Sequence, residues 1–156
     1  NLVAFLGAFA MVPLAKRWGA GPLHALCLLL GGLAMLALPH ADTKAMLFLP
    51  AIGTGLAWGS IMGNPYVILS NAIPAQRTGV YMGIFNMMIV IPMLLFAFVM
   101  GELDLGFAKL GLGVYEHVLG HDPRNALSLS GVCLILAALA VLWVREGRAG
   151  AQAQAA

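Results

Sequence analysis

Charged residues are scarce in this chain, and their scarcity excludes an ordinary soluble domain. Only 9% of its 156 residues are Asp, Glu, Lys or Arg, whereas 62% are hydrophobic, and the mean hydropathy is +0.94. A soluble globular domain carries about 25% charged residues. A chain with so few charges cannot cover its surface for water. We therefore expect lipid to surround most of it.

Cysteine is also scarce, and its placement argues against a metal site. Cys27 and Cys133 lie inside apolar segments, where a cysteine is typically a small buried hydrophobic residue. No Cys/His spacing in the sequence is typical of a metal site, so we expect no metal and no cofactor. The net charge is only +2 and the basic residues are scattered, which argues against nucleic-acid binding.

Long apolar segments predict membrane-spanning helices, because a helix needs about 20 apolar residues to cross the hydrocarbon core. The predicted helices occupy about 1–15, 22–38, 44–73, 79–100 and 125–145. The first is short for a span, and no initiator Met or basic leader precedes it, so we expect the chain to begin inside a longer protein. The predicted fold class is an all-α membrane protein with about five transmembrane helices.

Charges between the predicted spans indicate the orientation of the chain. One side receives mostly basic residues: Lys16, Arg17, Arg77, Arg145 and Arg148, with Glu146. The other side receives more acidic residues: Asp42, Lys44, Glu102, Asp104, Lys109, Glu116, Asp122 and Arg124. Basic residues collect on the cytoplasmic side. We therefore predict an outer N-terminus, a cytoplasmic C-terminus with a disordered tail at 146–156, and a multi-pass location in the cell inner membrane.

The longest connection, 101–124, is predicted to lie on the outer membrane surface. Apolar residues recur along it at helical spacing: Phe107, Leu110, Val114 and Val118. This spacing predicts a short amphipathic helix. An irregular loop is the alternative.

The predicted spans hold no Asp, Glu, Lys or Arg near their centres. Ion-coupled transporters normally carry such a group in the membrane, so a coupling carboxylate is expected outside this chain. An intramembrane enzyme would need a nucleophile with a base within hydrogen-bond reach. His24 is expected at the membrane interface, and His40, His117 and His121 are expected in outer loops. We therefore do not expect an enzyme.

Neutral polar residues are the candidate functional groups of the spans. Ser60, Asn64 and Asn71 share one face of the third predicted helix, and Asn86 lies in the fourth. Counted from the turn at Arg77, Asn64 and Asn86 each lie about eight residues inside their helices, or roughly 10 Å deep at 1.5 Å per residue. We expect two amides at similar depth on neighbouring helices to meet or to face one cavity.

Two interpretations of these amides remain open. They can hold helices together through hydrogen bonds worth about 1 kcal/mol or less. Alternatively, they bind a polar, uncharged solute, with Trp58 and Tyr66 providing aromatic surfaces for its apolar face.

Small residues and prolines in the same two helices predict their packing and bending. Small residues at four-residue spacing let helices approach closely, and prolines bend helices. The residues assigned to these roles are Gly55, Gly59, Gly63, Gly79, Gly83, Pro65 and Pro92.

One long segment, "GTGLAWGSIMGNPYVILSNAIPAQRTGVYMGIFNMMIVIPM" at 53–93, resembles helices ten and eleven of the sucrose-type sugar/cation symporters. These belong to the glycoside–pentoside–hexuronide branch of the major facilitator superfamily. "PLAKRWG" at 13–19 is similar to the basic loop after their eighth helix, and "DPRNALSLSGVCLILAALAVL" at 122–142 to the start of the twelfth. The matching residues of the long segment are Pro65, Tyr66, Ser70, Gly79, Gly83, Asn86 and Ile89 to Pro92. Met93 and the Gly63-Asn64 pair depart from the family pattern, so the role of Asn64 rests on spacing alone.

The resemblance implies a C-terminal part, about helices eight to twelve, of a twelve-helix transporter that works by alternating access. Its substrate would be a sugar, such as sucrose or maltose, carried with a proton. Its partner would be the N-terminal half of the same protein, where this family places its coupling acid. The candidate substrate contacts are Asn64, Asn86, Trp58, Tyr66 and Ser60. The basic residues Lys16, Arg17 and Arg77 are expected to anchor the topology or to pair across the closed cytoplasmic side.

Two alternatives stay open at this stage. A non-transporting remnant, or a helical subunit that needs a partner chain, would share the same spans. A drug or lipid carrier of the same superfamily would have an apolar cavity, which the amides disfavour.

Overall fold

The computed structural model describes residues 2–105 and 108–144, and helices dominate this part of the chain. The α-helices are α1 Leu2–Trp18, α2 Ala20–Ala37, α3 Phe48–Ala72, α4 Thr78–Met100, α5 Val114–His117 and α6 Pro123–Val141. Short 3-10 turns cover Leu38–His40, Ala45–Leu47 and Ala75–Arg77. A two-stranded hairpin is formed by β1 Glu102–Leu105 and β2 Ala108–Gly111.

Four helical segments of the described chain are long and apolar enough to cross a membrane. They are Ala20–His40, Ala45–Ala72, Ala75–Met100 and Pro123–Val141. The first predicted span corresponds to α1, which has 17 residues and is not among these four. Length and composition therefore support a multi-pass membrane protein with four candidate spans.

The long helices begin and end within a few residues of the predicted bounds, and the main shifts have local causes. Helix α3 starts at Phe48 rather than 44, because the turn Ala45–Leu47 precedes it. Helix α6 starts at Pro123, where the Asp122 carboxylate caps the helix by accepting a hydrogen bond from the Arg124 backbone N–H at 2.9 Å. Helix α6 ends at Val141, four residues before the predicted end at 145. The predicted tail at 146–156 lies outside the described residues.

The connection 101–124 differs from the predicted amphipathic helix. Its first part is the antiparallel hairpin, in which Glu102 pairs with Gly111 and Leu105 with Ala108. Only the four-residue helix α5 follows. Glycines at 111 and 113 have φ of 145° and 56°, a left-handed region that ends a helical segment and suits glycine. The helical spacing of apolar residues is therefore interrupted before a helix can extend, and Phe107 lies outside the described residues.

Helix α2 is the centre of the bundle and packs against both α3 and α6 at glycines. A Cβ atom on Gly32 would lie 2.8 Å from the carbonyl oxygen of Gly131, and one on Gly131 would lie 2.8 Å from that of Gly32. Gly31 likewise packs against the Ala57 side chain of α3. Only residues without a Cβ allow such close backbone approach. The α2 interfaces therefore depend on glycine.

Helix α4 lies at the periphery of the described bundle, and none of its residues is buried. Its contacts with α3 include an edge-to-face ring pair, Tyr66 and Phe85, with centroids 5.1 Å apart. The Leu112 backbone N–H donates to the Phe98 carbonyl at 2.9 Å and ties the end of the hairpin to α4. Most of the α4 surface is thus open to lipid or to another helix.

Candidate functional site

Three polar side chains form a buried network between α2 and α3. Ser60 Oγ lies 2.8 Å from His24 Nδ1, and Asn64 Nδ2 donates a hydrogen bond to the same oxygen at 2.7 Å. Ser60 is completely buried, and His24 and Asn64 are each 6% exposed. We call these three residues the polar network.

The geometry of two helices builds the polar network. Ser60 and Asn64 are four residues apart in α3, so they lie on one face of that helix. The close approach of Gly31 to Ala57 brings α2 against this face. His24, in the first turns of α2, therefore lies within hydrogen-bond distance of the Ser60 hydroxyl of α3.

The polar network is stabilised because its members satisfy one another. A buried polar group without a partner costs about 1–3 kcal/mol. Among the described residues, no buried side-chain nitrogen or oxygen lacks a hydrogen-bond partner. Ser60 is thus hydrogen-bonded to both other members of the network.

A cavity of about 440 Å³ adjoins the polar network between α1 and α3. This volume lies in the range of small-molecule sites, about 300–1,000 Å³. Its walls are Ala8, Met11, Val12, Ala15, Lys16, Gly19, Ala20, Gly59, Gly63, Asn64, Val67 and Asn71. Only Lys16, Asn64 and Asn71 of this set bring polar side chains, so the cavity is apolar with a few polar groups. Asn64 belongs to both the polar network and the cavity wall.

The structure separates the two amides that the sequence predicts at similar depth. Asn64 bonds to Ser60 within α3, whereas Asn86 Oδ1 accepts a hydrogen bond from the Tyr66 hydroxyl at 3.0 Å. Asn86 does not line the cavity. The Tyr66–Asn86 bond joins α3 to α4 on an exposed surface, which fits the interpretation that this amide holds helices together.

The two predicted aromatic surfaces lie outside the cavity wall. Trp58 is 56% exposed on α3, and Tyr66 contacts Phe85 and Asn86 of α4. Neither ring lines the cavity next to Asn64. Of the five candidate substrate contacts, the structure therefore groups Ser60 with Asn64, and Tyr66 with Asn86.

The predicted packing glycines divide into two groups. Gly55 and Gly59 approach α1: a Cβ on Gly55 would meet the Val3 side chain at 2.7 Å, and one on Gly59 the Ala4 carbonyl oxygen at 3.0 Å. By contrast, the described residues place nothing within 4 Å of a Cβ added at Gly63, Gly79 or Gly83. These three glycines make no close helix contact here, although Gly63 lines the cavity.

The two predicted prolines lie inside helices, and the three predicted basic residues are exposed. Pro65 and Pro92 lie inside α3 and α4 without ending them. Arg77 is exposed at the start of α4, where its backbone N–H donates to the Pro74 carbonyl at 3.1 Å. Lys16 and Arg17 are exposed in the last turn of α1.

Sequence reasoning missed the role of His24 and misplaced one cysteine. His24 was expected at the interface as an isolated polar residue, yet it is buried against α3. The signal that points to it is the pair Ser60 and Asn64, which needs a polar partner from a neighbouring helix. Cys27 is buried as expected, but Cys133 is exposed on α6. The described residues contain no group of three or more His, Cys, Asp or Glu side chains that could hold a metal ion.

No protein-family model, curated protein or solved structure matches this chain. Function must therefore be inferred from the polar network and the cavity.

Proposed function

We propose that this chain is part of a secondary transporter that carries a sugar together with a proton by alternating access. The observation that carries the proposal is the junction between the polar network and the cavity. Asn64 is held by Ser60 and lines a cavity of about 440 Å³ between helices of a multi-pass bundle.

The chemistry of the cavity suits a sugar. A sugar is uncharged and needs neutral hydrogen-bond donors and acceptors in a wall that is otherwise apolar. Asn64 and Asn71 supply such groups. Polar residues inside membrane spans are costly and often mark a substrate pathway. The Ser60 hydroxyl fixes the Asn64 side chain, so the amide is preorganised for binding.

The sequence resemblance gives the proposal its substrate class. The segment 53–93 that resembles the sucrose-type symporters includes most of α3, which forms one cavity wall. Sucrose or maltose is the proposed substrate. The inner-positive charge pattern orients the cavity, with Lys16 in its wall, toward the cytoplasm.

Proton coupling is assigned to a partner half of the protein. The four candidate spans contain no carboxylate, and the N-terminal half is where the resemblance implies a coupling acid. Helix α4, with no buried residue, offers a surface on which such a half can pack.

A helical subunit without transport activity is the second candidate function. It is favoured by the Tyr66–Asn86 pair, which leaves polar groups on an exposed surface of two candidate spans. Polar groups in lipid favour contact with another helix.

Uptake of labelled sucrose and maltose tests the proposal. The complete protein that contains this chain is reconstituted in liposomes, and uptake is measured with and without an inward proton gradient. We expect accumulation that requires the gradient and is lost on adding a protonophore. Absence of uptake for both sugars, together with stable co-purification of a second membrane protein, would support the subunit function instead.

A further inference from the structure

The hydroxyl of Ser60 contacts two buried polar side chains, His24 and Asn64. A serine hydroxyl donates one hydrogen bond and accepts two. Asn64 Nδ2 donates to Ser60 Oγ at 2.7 Å. In the neutral His24 tautomer that carries its proton on Nε2, the single Ser60 proton is donated to His24 Nδ1, 2.8 Å away. Since Ser60 has no exposed surface, no water can add another partner.

This arrangement describes neutral His24 with its proton on Nε2. When His24 takes up a second proton, both ring nitrogens become donors. The Nδ1–H then donates to Ser60 Oγ, and the Ser60 proton must turn to a new acceptor. The Asn64 Oδ1 is a carbonyl oxygen and therefore a suitable acceptor. Rotation of the Asn64 amide brings this oxygen to Ser60, which then donates its proton to it.

The polar network therefore has two states with opposite hydrogen-bond directions. In one state the bonds run from Asn64 through Ser60 to His24, and in the other they run from His24 to Asn64. Because Asn64 lines the cavity, the reversal exchanges the amide atom that faces a ligand.

We propose that His24 is a proton-responsive residue whose protonation is transmitted through Ser60 to the Asn64 amide in the cavity wall. The effect of this relay on sugar affinity, which would act beside the coupling acid assigned to the partner half, rests on the proposed function. The relay itself rests only on the three side chains and their burial.

The surroundings of His24 make it the group that responds. It is the one buried histidine of the residues that the structure describes, and histidine changes charge between about pH 5 and 8. On α2 itself, Cys27 is the neighbouring titratable group. The helices packed on α2 bring few other titratable groups.

The other titratable and charged groups lie on α1, α3 and α6. Helix α3 has no charged side chain, and its Tyr66 hydroxyl bonds to Asn86. Helix α1 brings Lys16 and Arg17 in its last turn, and Lys16 reaches the cavity. Helix α6 brings Arg124 in its first turn and the exposed Cys133. None of the contacts to Ser60 comes from these groups.

Nitrogen-15 NMR on the complete protein in nanodiscs tests the relay. With labelled histidine and asparagine, the His24 ring nitrogens and the Asn64 amide are followed from pH 8 to pH 5, the latter assigned by its loss in Asn64→Gln. We expect the Nδ1 signal to change from an unprotonated to a protonated nitrogen. We also expect the Asn64 amide signals to move with the same midpoint.

Two variants separate the relay from a general pH effect. In His24→Asn the side chain can still bond to Ser60 but cannot titrate, so the Asn64 signals should stay constant over this range. In His40→Asn, which removes an exposed histidine, they should move as in the parent protein. A His24 ring that does not titrate, or Asn64 signals that stay fixed while His24 titrates, would overturn the proposal.

Equilibrium binding of sucrose at pH 5 and pH 8 tests whether the relay changes the affinity for sugar. We expect the affinity of the parent protein to differ by at least about fivefold, the lower end of typical couplings between sites. His24→Asn should bind with the same affinity at both values, and His40→Asn should keep the difference. If sucrose does not bind at any pH, the proposed function fails, and the NMR result alone decides the relay.

Discussion

The α2–α3 and α3–α4 interfaces are each joined by a side-chain hydrogen bond, but they differ in almost every other respect. His24 and Ser60 bond in a buried setting next to glycine contacts. Tyr66 and Asn86 bond on an exposed surface beside a helix with no buried residue. The first interface combines close helix packing with a buried hydrogen-bond network. The second is a loose contact that another helix can complete.

The difference separates two roles for neutral polar residues in a membrane protein. A buried hydroxyl limits a neighbouring amide to orientations that hydrogen-bond to it, which suits binding. An exposed amide with one partner contributes mainly to helix association. Of the two helices α3 and α4, only α3 brings polar side chains to the cavity.

The largest expected effect comes from adding bulk at the glycines of the two regions. Gly31→Leu places a side chain against the Ala57 side chain of α3, so helices α2 and α3 must separate. We expect a destabilisation of about 3 kcal/mol and a strong loss of folded protein in size-exclusion chromatography.

Gly83→Leu is the matched control on α4, since nothing in the described residues lies within 4 Å of its added Cβ. It should fold as well as the parent chain when expressed alone. Equal losses of folded protein in both variants would remove the distinction between the closely packed and the loose interface. A loss for Gly83→Leu only in the complete protein would show that a partner half covers α4.

Removing one hydroxyl from each interface gives an intermediate effect. Ser60→Ala leaves His24 and Asn64 buried without their partner, which should cost about 1–3 kcal/mol. Tyr66→Phe leaves only the exposed Asn86 without its partner, and should cost about 0.6 kcal/mol. Thermal unfolding in detergent compares the two. A larger cost for Tyr66→Phe would contradict the burial argument.

The smallest effect tests the Tyr66–Asn86 bond itself. A double-mutant cycle with Tyr66→Phe and Asn86→Ala isolates their coupling free energy, which we expect to be about 0.6 kcal/mol. The same unfolding assay measures it. Strictly additive single effects would mean that the bond contributes nothing, so the α3–α4 contact would rest on apolar packing alone.

The helices could be predicted from the sequence because long apolar segments have one stable state in lipid. The predicted segments 22–38 and 79–100 correspond to α2 and α4, with ends that differ by at most two residues. The hairpin at Glu102–Gly111 could not be predicted in this way. There the helical spacing of apolar residues competes with glycines, whose positive φ values are visible only in the structure.

The site could be predicted only in part because helix depth does not determine helix rotation. Counting residues places Asn64 and Asn86 at similar depth, but it cannot say which way each side chain points. A rotation about the helix axis is enough to give them different partners. His24 was missed because its partners come from α3, 36 residues further along the chain.

Equilibrium binding of sucrose to three forms of the complete protein tests the central claim most directly. The claim is that Asn64, held by Ser60 in the cavity wall, contacts the sugar, whereas Asn86 does not. We expect Asn64→Ala to bind sucrose about tenfold more weakly than the parent protein, and Asn86→Ala to bind it with unchanged affinity. Equal affinities for Asn64→Ala and the parent protein, or a loss confined to Asn86→Ala, would contradict the claim.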